Sequence, residues 1–332
     1  MHAIEARQLV RKFGDFVAVA GVEFEVRQGE VFGFLGPNGA GKSTTINMLC
    51  TMMRPTSGTA LINGHDVVSR PDLVRRSIGI IFQDPSLDDR LTGLENLQFH
   101  AMLYDVPRET FAVRSRELLA MVDLTDKAGE TIRTYSGGMK RRLEIARGLL
   151  HHPKVLFLDE PTIGLDPQTR RHIWQYLMKL REQEGVTMFM TTHYMEEAEH
   201  CDRIAVIDHG KIVALDTPEH LKGLVGGDII SVRTSDNERA AATLRAAKRV
   251  DTRPGPDAQL IVETPNGDRF IPVLIDVLAN TDPPIAVESI GLSRPTLEDV
   301  FIKLTGHAIR ASEADATQPL RQMARMWTGA KR

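Results

Sequence analysis

The residues that could do chemistry begin with a glycine-rich segment, GPNGAGKST, at residues 36–44. It matches the pattern G-x-x-x-x-G-K-[ST], in which glycines let successive backbone N–H groups turn toward phosphate oxygens. Lys42 would place a positive charge beside the β- and γ-phosphates, and the Ser43 hydroxyl could bind magnesium. The segment therefore predicts a phosphate-binding loop made of Gly36, Pro37, Asn38, Gly39, Ala40, Gly41, Lys42, Ser43 and Thr44.

The segments on either side of this loop provide the context that the pattern requires. Val31 to Leu35 is an apolar run that predicts a buried strand, and the residues after Lys42 predict a helix with Ile46 and Leu49 on one face. A helix that begins at the loop adds the positive end of its dipole to the phosphate site. This strand–loop–helix unit favours nucleotide binding over a glycine-rich turn that happens to contain Lys-Ser.

Two adjacent carboxylates follow a second apolar run, in HHPKVLFLDEPTIGLDP at residues 151–167. Val155 to Leu158 predicts a strand buried on both faces, with Asp159 and Glu160 at its end. Two neighbouring carboxylates at a strand end are costly unless a cation lies there, which favours a functional site over a simple helix cap. We expect Asp159 to hold magnesium and Glu160 to polarise an attacking water.

A histidine follows a third predicted strand, Val186 to Met190. Because His193 and Asp159 both come after predicted central strands, both should lie at the carboxyl edge, where open α/β sheets bind ligands. A single histidine is most often structural, but this position favours a sensor of the γ-phosphate.

A second candidate anion site lies in YSGGM, where Ser136, Gly137 and Gly138 immediately precede a basic, apolar-periodic segment. Backbone N–H groups and a serine hydroxyl at the start of a helix suit a γ-phosphate. The Lys-Arg-Arg that follows at 140–142 could indicate nucleic-acid binding, but the formal net charge of the chain is -3. We therefore interpret it as a solvated or subunit-facing stripe of the helix, and no nucleic acid is expected as a partner.

Taken in order, these motifs resemble those of the ATP-binding subunit of an ABC transporter, across roughly residues 3–221. The segments that carry the resemblance are GPNGAGKST, Gln83, YSGGM, LFLDE, GLDP and His193. The resemblance implies an α/β fold, a P-loop NTPase cassette with a RecA-like core and a helical subdomain. The cassette would span residues 1–221, with the helical subdomain at about 84–152.

The resemblance also implies ATP and Mg²⁺ as cofactors and assigns further residues. Phe13 would stack on the adenine, and Asp166 would form a loop that contacts the partner subunit. Gln83 would reach both the magnesium and the attacking water. The catalytic candidates are then Glu160, His193 and Gln83, and the metal-binding candidates are Ser43, Gln83 and Asp159.

A further implication of the resemblance is a dimer. In this family the Ser-Gly-Gly site of one copy closes over the P-loop of a second copy, so that ATP would lie between Lys42 of one chain and Ser136 of the other. This chain contains one motif of each kind, so a working pair requires two copies. Tyr135 and Met139 depart from the family's usual LSGGQ, but the atoms expected to face phosphate are unchanged.

Composition is that of an ordinary globular protein, with 42% hydrophobic and 26% charged residues. The longest apolar runs are well below the roughly 18 residues of a membrane span, and MHAIEARQLVRKF is charged where a signal peptide is apolar. Cys50 and Cys201 are interpreted as inert thiols of a reducing compartment. We expect a protein on the cytoplasmic side of the cell membrane, held there by a separately encoded permease.

In the family, the region after Gln83 receives helices from the membrane subunit. Here that region contains Leu94, Leu97 and Met102 in a partly helical apolar pattern. It is interpreted as a transmission arm, although a plain surface subdomain would have the same pattern.

The last third of the chain predicts a second, smaller domain at 222–308, after a GLVGGD linker that follows Leu221. Its β-α-β-α-β order has room for one more strand, which suggests a ferredoxin-like α+β domain. NGDRF, at 266–270, is expected to be a turn. The domain contains no ligand cluster, which favours an accessory or regulatory role.

The segment PTLEDVFIKLTG, at 295–306, resembles the C-terminal extension of daunorubicin-resistance-type ABC ATPases of drug and lipid exporters. That resemblance implies export through a permease. Residues 309–332 are expected to be a flexible tail, although Leu320, Met323 and Trp327 could share a helical face that contacts the permease or a membrane surface.

Three other classes of protein carry related motifs. ABC ATPases of DNA repair need coiled-coil or zinc-binding insertions, and ribosome-associated ABC proteins carry two cassettes on one chain. Neither pattern occurs here. A scaffold with a decayed site is disfavoured because each expected phosphate-contacting residue is present.

Overall fold

The computed structural model describes residues 2–83, 86–248, 250–255 and 259–306. These residues form two compact units, 2–217 and 218–306. The division lies between Thr217 and Pro218, shortly before the predicted linker, because Pro218–Gly223 forms a helix that packs on Leu297–Thr305 of the second unit. The expected tail at 309–332 lies outside the described residues.

The first unit contains an antiparallel sheet and a larger, mostly parallel sheet. The antiparallel sheet, in the order β2-β1-β4-β5, consists of β1 (His2–Phe13), β2 (Phe16–Arg27), β4 (Ser57–Ile62) and β5 (His65–Asp66). The larger sheet, in the order β10-β9-β3-β8-β7-β6, consists of β3 (Val31–Leu35), β6 (Ile78–Ile81), β7 (Val155–Asp159), β8 (Thr187–Thr192), β9 (Arg203–Asp208) and β10 (Lys211–Asp216). Only β10 runs antiparallel to its neighbour in this sheet.

The helices of the first unit fall into two groups. Those beside the sheets are α1 (Lys42–Leu49), α2 (Pro71–Ser77), α6 (Pro167–Glu184) and α7 (Met195–Ala198). Those of the helical subdomain are α3 (Gly93–Leu103), α4 (Arg108–Met121) and α5 (Gly137–Gly148), with 3-10 turns at Thr125–Lys127 and Ile132–Thr134. None of the helices in the described stretches combines the length and apolar character that crossing a membrane requires.

Aromatic packing joins the two sheets of the first unit. The ring of Phe24 on β2 lies 5.5 Å from that of Phe32 and 5.6 Å from that of Phe34, both on β3. Phe189 on β8 completes the group, with its ring 5.7 Å from Phe24. Close packing of this kind resists displacement, so the carboxyl end of β3, where the glycine-rich loop begins, is held firmly.

The second unit has the β-α-β-β-α-β order of a ferredoxin-like domain, and the extra strand is β12. Its sheet, in the order β12-β13-β11-β14, is antiparallel throughout. The elements are α8 (Pro218–Gly223), β11 (Asp228–Thr234), α9 (Asn237–Lys248), β12 (Thr252–Pro254), β13 (Leu260–Thr264), α10 (Gly267–Ala279), β14 (Val287–Ser293) and α11 (Leu297–Thr305).

The expected turn at 266–270 is wrong, because α10 begins at Gly267. The Gly267 N–H donates to the Asp228 carboxylate at 2.8 Å, which fixes the start of the helix. Phe270, Leu274 and Leu278 then continue one apolar face into the core of this unit. Asn-Gly here follows a strand and opens a helix, which the dipeptide alone does not distinguish from a hairpin turn.

Candidate nucleotide-binding site

The glycine-rich loop joins β3 to α1 and needs glycine for steric reasons. A Cβ on Gly36 would lie 2.3 Å from the carbonyl oxygen of Ile207, and one on Gly41 would lie 2.5 Å from that of Ala18. Gly41 also has a φ of 104°, a conformation that residues with a side chain rarely adopt. The loop is thus packed closely against β2 and β9, and the positive φ of Gly41 lets its backbone curl.

Lys42 is the buried cation of this loop, with only 4% of its surface exposed. Its Nζ donates to the carbonyl oxygens of Gly36 at 2.8 Å and Pro37 at 3.1 Å. It also lies 3.4 Å from Oε1 of Glu160. The positive charge is therefore held at the loop, next to Glu160, which directly follows β7.

Asp159, at the end of β7, faces the hydroxyl of Ser43. Ser43 Oγ lies 3.4 Å from Asp159 Oδ1, and Thr191 Oγ1 donates to the same oxygen at 2.5 Å. Hydroxyl and carboxylate oxygens are the ligands that Mg²⁺ prefers. Because Thr191 orients the carboxylate from the neighbouring strand, the donor set fits the metal that the sequence predicts.

Glu160 lies between Lys42 and a histidine. Its Oε1 is 3.3 Å from His193 Nδ1. Burial raises the pKa of Glu160, but His193 and Lys42 favour the charged form and the net effect is a lowered pKa. The carboxylate is therefore ionised at neutral pH and can accept a hydrogen bond from water.

Backbone geometry helps to place this carboxylate. Glu160 has a φ of 47°, and its N–H bonds to the carbonyl oxygen and the hydroxyl of Thr191, at 3.2 and 3.1 Å. A left-handed conformation is unusual for a residue with a side chain, and it is maintained here by a buried partner. Glu160 is thus turned away from the strand direction, toward Lys42.

Parallel pairing brings the candidate catalytic group together at one edge of the sheet. Because β3, β8 and β7 are neighbours and all run parallel, their carboxyl ends meet. Side-chain contacts link Glu160 to Lys42 and His193, and Ser43 to Asp159. Gln83, which is exposed, follows β6 at the same edge.

Phe13 lies at the end of β1, in the antiparallel sheet. Its side chain is 44% exposed, and the Arg11 guanidinium lies 4.7 Å from its ring centre.

The Ser-Gly-Gly candidates form a separate group. Ser136 is the N-cap of α5, and its hydroxyl accepts from the Met139 N–H at 3.3 Å. A Cβ on Gly138 would lie 2.7 Å from Cγ2 of Thr169, so α5 begins close to the start of α6. Asp166 caps α6, and hydrogen bonds from Thr169 lower the pKa of its carboxyl group. The start of α5 exposes Ser136 and Gly137, leaving polar groups there accessible.

The interpretation of residues 140–142 as a solvated or subunit-facing stripe is wrong for its central residue. Arg141 is 5% exposed and donates to backbone carbonyls near the catalytic group. Lys140 pairs with Asp89, and Arg142 donates to the carbonyl of Val122. Burial of Arg141 follows from its place on the inward face of α5.

Sequence reasoning also missed Thr191 and Glu197. Glu197, on α7, accepts from Thr192 Oγ1 at 2.6 Å and from the hydroxyl of Thr162. It thereby joins the segment that leads to His193 with the segment that follows Glu160. The signal for Arg141 was available, because residues 141, 145 and 148 have the spacing of one helix face. The signal for Thr191 was only its adjacency to His193.

Known proteins are similar to this chain over most of its length. Residues 19–163 match the family model described as ABC transporter. The chain is 40% identical over 316 residues to the daunorubicin resistance ATP-binding protein DrrA2 of Streptomyces coeruleorubidus, covering 94% of this chain and 98% of that protein. It is 37% identical over 311 residues to the linearmycin resistance ATP-binding protein LnrL of Bacillus subtilis, covering 92% and 99%.

Solved structures resemble the fold as well. The cassette cbiO1 from Clostridium perfringens, part of the ABC transporter complex cbiONQ, aligns with a TM-score of 0.63 and 25% identity, covering 75% of this chain and 96% of that one. The dimeric post-hydrolysis structure of the cassette MJ0796, bound to ADP and Pi, aligns with a TM-score of 0.58 and 30% identity, covering 64% and 98%. The predicted cassette fold is confirmed.

Proposed function

The chain belongs to the ABC transporter family and is an ATPase of that family, and we propose that two copies of it close around ATP to drive export through a separate permease. The observation that carries this proposal is the ionised Glu160, held between Lys42 and His193 at the carboxyl edge of the sheet. A buried carboxylate beside a phosphate-binding lysine is suited to orienting a water for attack on the γ-phosphate.

In the proposed reaction, Glu160 orients the water and accepts its proton. His193 keeps that carboxylate in place, and Lys42 stabilises the negative charge that develops on the γ-phosphate. Ser136 and Gly138 of the second copy would donate to the same phosphate. Gln83 would contact the attacking water from the end of β6, and Phe13 would stack on the adenine.

Ser43 and Asp159 would hold Mg²⁺, with Gln83 as a further ligand. The metal would supply positive charge that stabilises the negative charge on the phosphate oxygens. Thr191 contributes from this chain by holding Asp159 in one orientation. Because that hydrogen bond is independent of nucleotide, the carboxylate is preorganised and needs little rearrangement when the substrate binds.

The dimer is supported by the different neighbours of the two candidate anion sites. The Ser136–Gly138 group contacts α6, whereas Lys42 contacts Glu160 on the sheet edge. The cassette MJ0796, 30% identical, is dimeric with ADP and Pi. The triphosphate binds both copies only in the closed state, so it favours closure by its differential affinity for the two states.

A groove beside the helical subdomain supports docking of the permease. The groove has a volume of about 710 Å³, and its lining includes Met52, Phe82, Phe99, His100, Leu103 and Arg147. Met52, Phe99 and Leu103 are each more than half exposed, which is unusual for large apolar side chains and typical of an interaction site. An amphipathic segment of a permease would cover them.

The alignments with DrrA2 and LnrL cover 92–94% of this chain and 98–99% of those relatives, which are named as daunorubicin and linearmycin resistance ATP-binding proteins. We therefore propose hydrophobic antibiotics or related lipids as the exported class, with the chain on the cytoplasmic side of the membrane. The same likeness favours a transporter over the DNA-repair and ribosome-associated alternatives.

The test of this proposal uses Glu160→Gln, which keeps the shape of the side chain but removes its charge. Hydrolysis should fall by about a hundredfold or more, because a positioned acid–base group is lost, while ATP binding continues. Sedimentation velocity with excess Mg-ATP should then show a stable dimer. In cells that express the chain with its permease, accumulation of a fluorescent anthracycline should rise to the level without the transporter.

Glu109→Gln, an exposed carboxylate on α4, is the matched control and should behave as wild type in every measurement. A Glu160→Gln variant that hydrolyses ATP at the wild-type rate would remove Glu160 from catalysis. If Glu160→Gln never dimerises in the presence of ATP, even with the permease present, the proposed dimer with ATP between the two copies would be contradicted.

A further inference from the structure

Arg141, on α5, contacts two segments that border the candidate nucleotide site, residues 159–161 and Phe82. Its Nε donates to the carbonyl oxygen of Pro161 at 2.5 Å, and its Nη1 donates to that of Phe82, also at 2.5 Å. Its Nη2 donates to the carbonyl oxygens of Asp159 and Glu160, at 3.4 and 3.3 Å. With 5% of its surface exposed, this side chain holds the backbone from Asp159 to Pro161 without competition from water.

Two further residues of α5 extend these contacts. Glu144 is fully buried, with its Oε2 3.1 Å from Arg141 Nη1 and its Oε1 accepting from the Ser86 N–H at 2.7 Å. Arg147 donates to the Ser86 carbonyl at 2.7 Å. The contacts at Phe82 and Ser86 lie on either side of Gln83, so the segment that carries Gln83 is attached to α5 at two points.

The same helix begins with the donors that would face the second copy. Arg141 is five residues beyond Ser136, which places it about 7.5 Å along the axis of a helix. A rigid helix transmits a displacement of its tip to the rest of its length. Movement of the Ser136 end of α5 would therefore also displace the Arg141 side chain, which contacts the carbonyls of Glu160 and Phe82.

We propose that Arg141, supported by Glu144, is the positioning residue that couples the two ATP sites of the dimer. When Ser136 and Gly138 engage the ATP of the second copy, Arg141 sets the backbone of Glu160 and the segment of Gln83 in its own copy. This inference rests on the proposed ATP-sandwich dimer.

Arginine is suited to this task for a chemical reason. Its planar guanidinium offers five N–H donors in a fixed arrangement, so it can bind carbonyls of several segments at once. Lysine keeps the charge beside Glu144 but presents one nitrogen on a flexible stem. Arg141→Lys should therefore leave the ion pair possible while releasing most of the carbonyl contacts.

A purely structural role is the competing explanation, and the chain offers a comparison for it. Arg114, on α4, is 6% exposed, with its Nη1 2.5 Å from Glu184 and its Nη2 donating to the Leu149 carbonyl at 3.4 Å. Its burial and its partners resemble those of Arg141. Its partners lie outside the catalytic segments, so Arg114→Lys is the matched control.

The experiment compares the full-length wild type, Arg141→Lys and Arg114→Lys. The measurements are the melting temperature, the Kd for a fluorescent trinitrophenyl-ATP, and the steady-state ATPase rate over a range of ATP concentrations. Two interacting sites allow a Hill coefficient of up to about 2, which we expect of the wild type. Arg141→Lys should have a Hill coefficient of about 1. Its kcat should be at least about tenfold lower than that of the wild type, which corresponds to roughly 1.4 kcal/mol of transition-state stabilisation.

The remaining readouts separate coupling from folding. The Kd for trinitrophenyl-ATP should stay within about twofold in Arg141→Lys, which corresponds to a change in binding free energy well under 1 kcal/mol. Arg114→Lys should lower the melting temperature to a similar extent but keep the wild-type kcat and Hill coefficient. A folded Arg141→Lys with the wild-type Hill coefficient and kcat, or an Arg114→Lys with the same kinetic losses as Arg141→Lys, would overturn the proposal.

If Arg141→Lys does not fold, Glu144→Gln replaces it in the same assays. The amide keeps an oxygen for the Ser86 N–H but loses the charge opposite Arg141, so the Hill coefficient should still fall. An unchanged coefficient in folded Glu144→Gln would contradict coupling. A non-cooperative wild type whose Glu160→Gln variant stays monomeric would instead contradict the dimer itself, so the two failures are distinguishable.

Discussion

Lys42 and Glu160 form a buried pair whose partners lie on different elements of the sheet edge. A lysine that is 4% exposed would be costly without the Gly36 and Pro37 carbonyls and the Glu160 carboxylate around its Nζ. A bound γ-phosphate would add to the negative groups around this cation. In the proposed site, affinity for nucleotide and the charge state of Glu160 would therefore be linked through one ammonium group.

For Lys42→Ala we expect ATP affinity to fall by at least about tenfold, because the charge that faces the phosphates is removed. The pKa of Glu160 should rise, since one of the groups that lower it is lost while its burial remains. Isothermal titration with Mg-ATP measures the affinity. Lys127→Ala, which removes a half-exposed surface cation, is the control, and equal affinities for the two variants would contradict the assignment of Lys42.

Among the elements, the helical subdomain contains a partly buried group of rings. His100 and Tyr104 are near each other at the end of α3, with ring centres 4.7 Å apart, and Tyr104 stacks on His151 at 3.8 Å. Burial, with Arg147 and His151 nearby, lowers the pKa of His100 to about 3. His100 is therefore neutral in the folded protein at physiological pH.

The pH dependence follows from that lowered pKa. Between about pH 6.5 and pH 3 the unfolded chain binds a proton at His100 that the folded chain does not, so the contribution of His100 to stability is complete above about 6.5 and is lost as the pH falls. Urea unfolding at several pH values should show a smaller loss of stability on acidification for His100→Gln than for wild type.

His209→Gln, at a site whose side chain is 88% exposed, is the control for this experiment and should keep the wild-type slope of unfolding free energy against pH. If His100→Gln and wild type lose stability in parallel between about pH 7 and pH 5, burial of neutral His100 does not contribute to the pH response.

At the scale of the whole molecule, each compact unit has a hydrophobic core of its own. One core includes Phe24, Phe32 and Phe189 of the first unit, and the other includes Val232, Val262 and Leu274 of the second. The larger sheet, with all the strands that position the nucleotide site, is complete by Asp216. ATP binding therefore depends on contacts within the first unit.

We expect a chain that ends at Thr217 to fold and to bind ATP with an affinity within about threefold of the full-length protein, because it retains its core and the complete phosphate loop. Circular dichroism and titration with Mg-ATP would measure this. An insoluble or molten fragment, with the full-length chain stable under the same conditions, would contradict independent folding of the first unit.

Features that depend on contiguous residues could be predicted from the amino-acid sequence alone. The phosphate loop, the Ser-Gly-Gly helix start and the strands before Asp159 and His193 could all be predicted, because each rests on local backbone geometry or on periodicity over a few residues. The ferredoxin-like order of the second unit could be predicted for the same reason. The start of α10 could not, since Asn-Gly permits either a turn or a helix.

Contacts between groups that are far apart in the sequence depend on the fold and could not be predicted. Thr191 orients Asp159, and Lys42 faces Glu160, because strands far apart in the sequence are neighbours in the sheet. The burial of Arg141 also depends on the fold. Its charge alone predicts an exposed residue, and the hydrogen bonds to carbonyls of other segments offset the cost of burying it. Local patterns identify the chemistry of this protein, and long-range packing decides how its parts are connected.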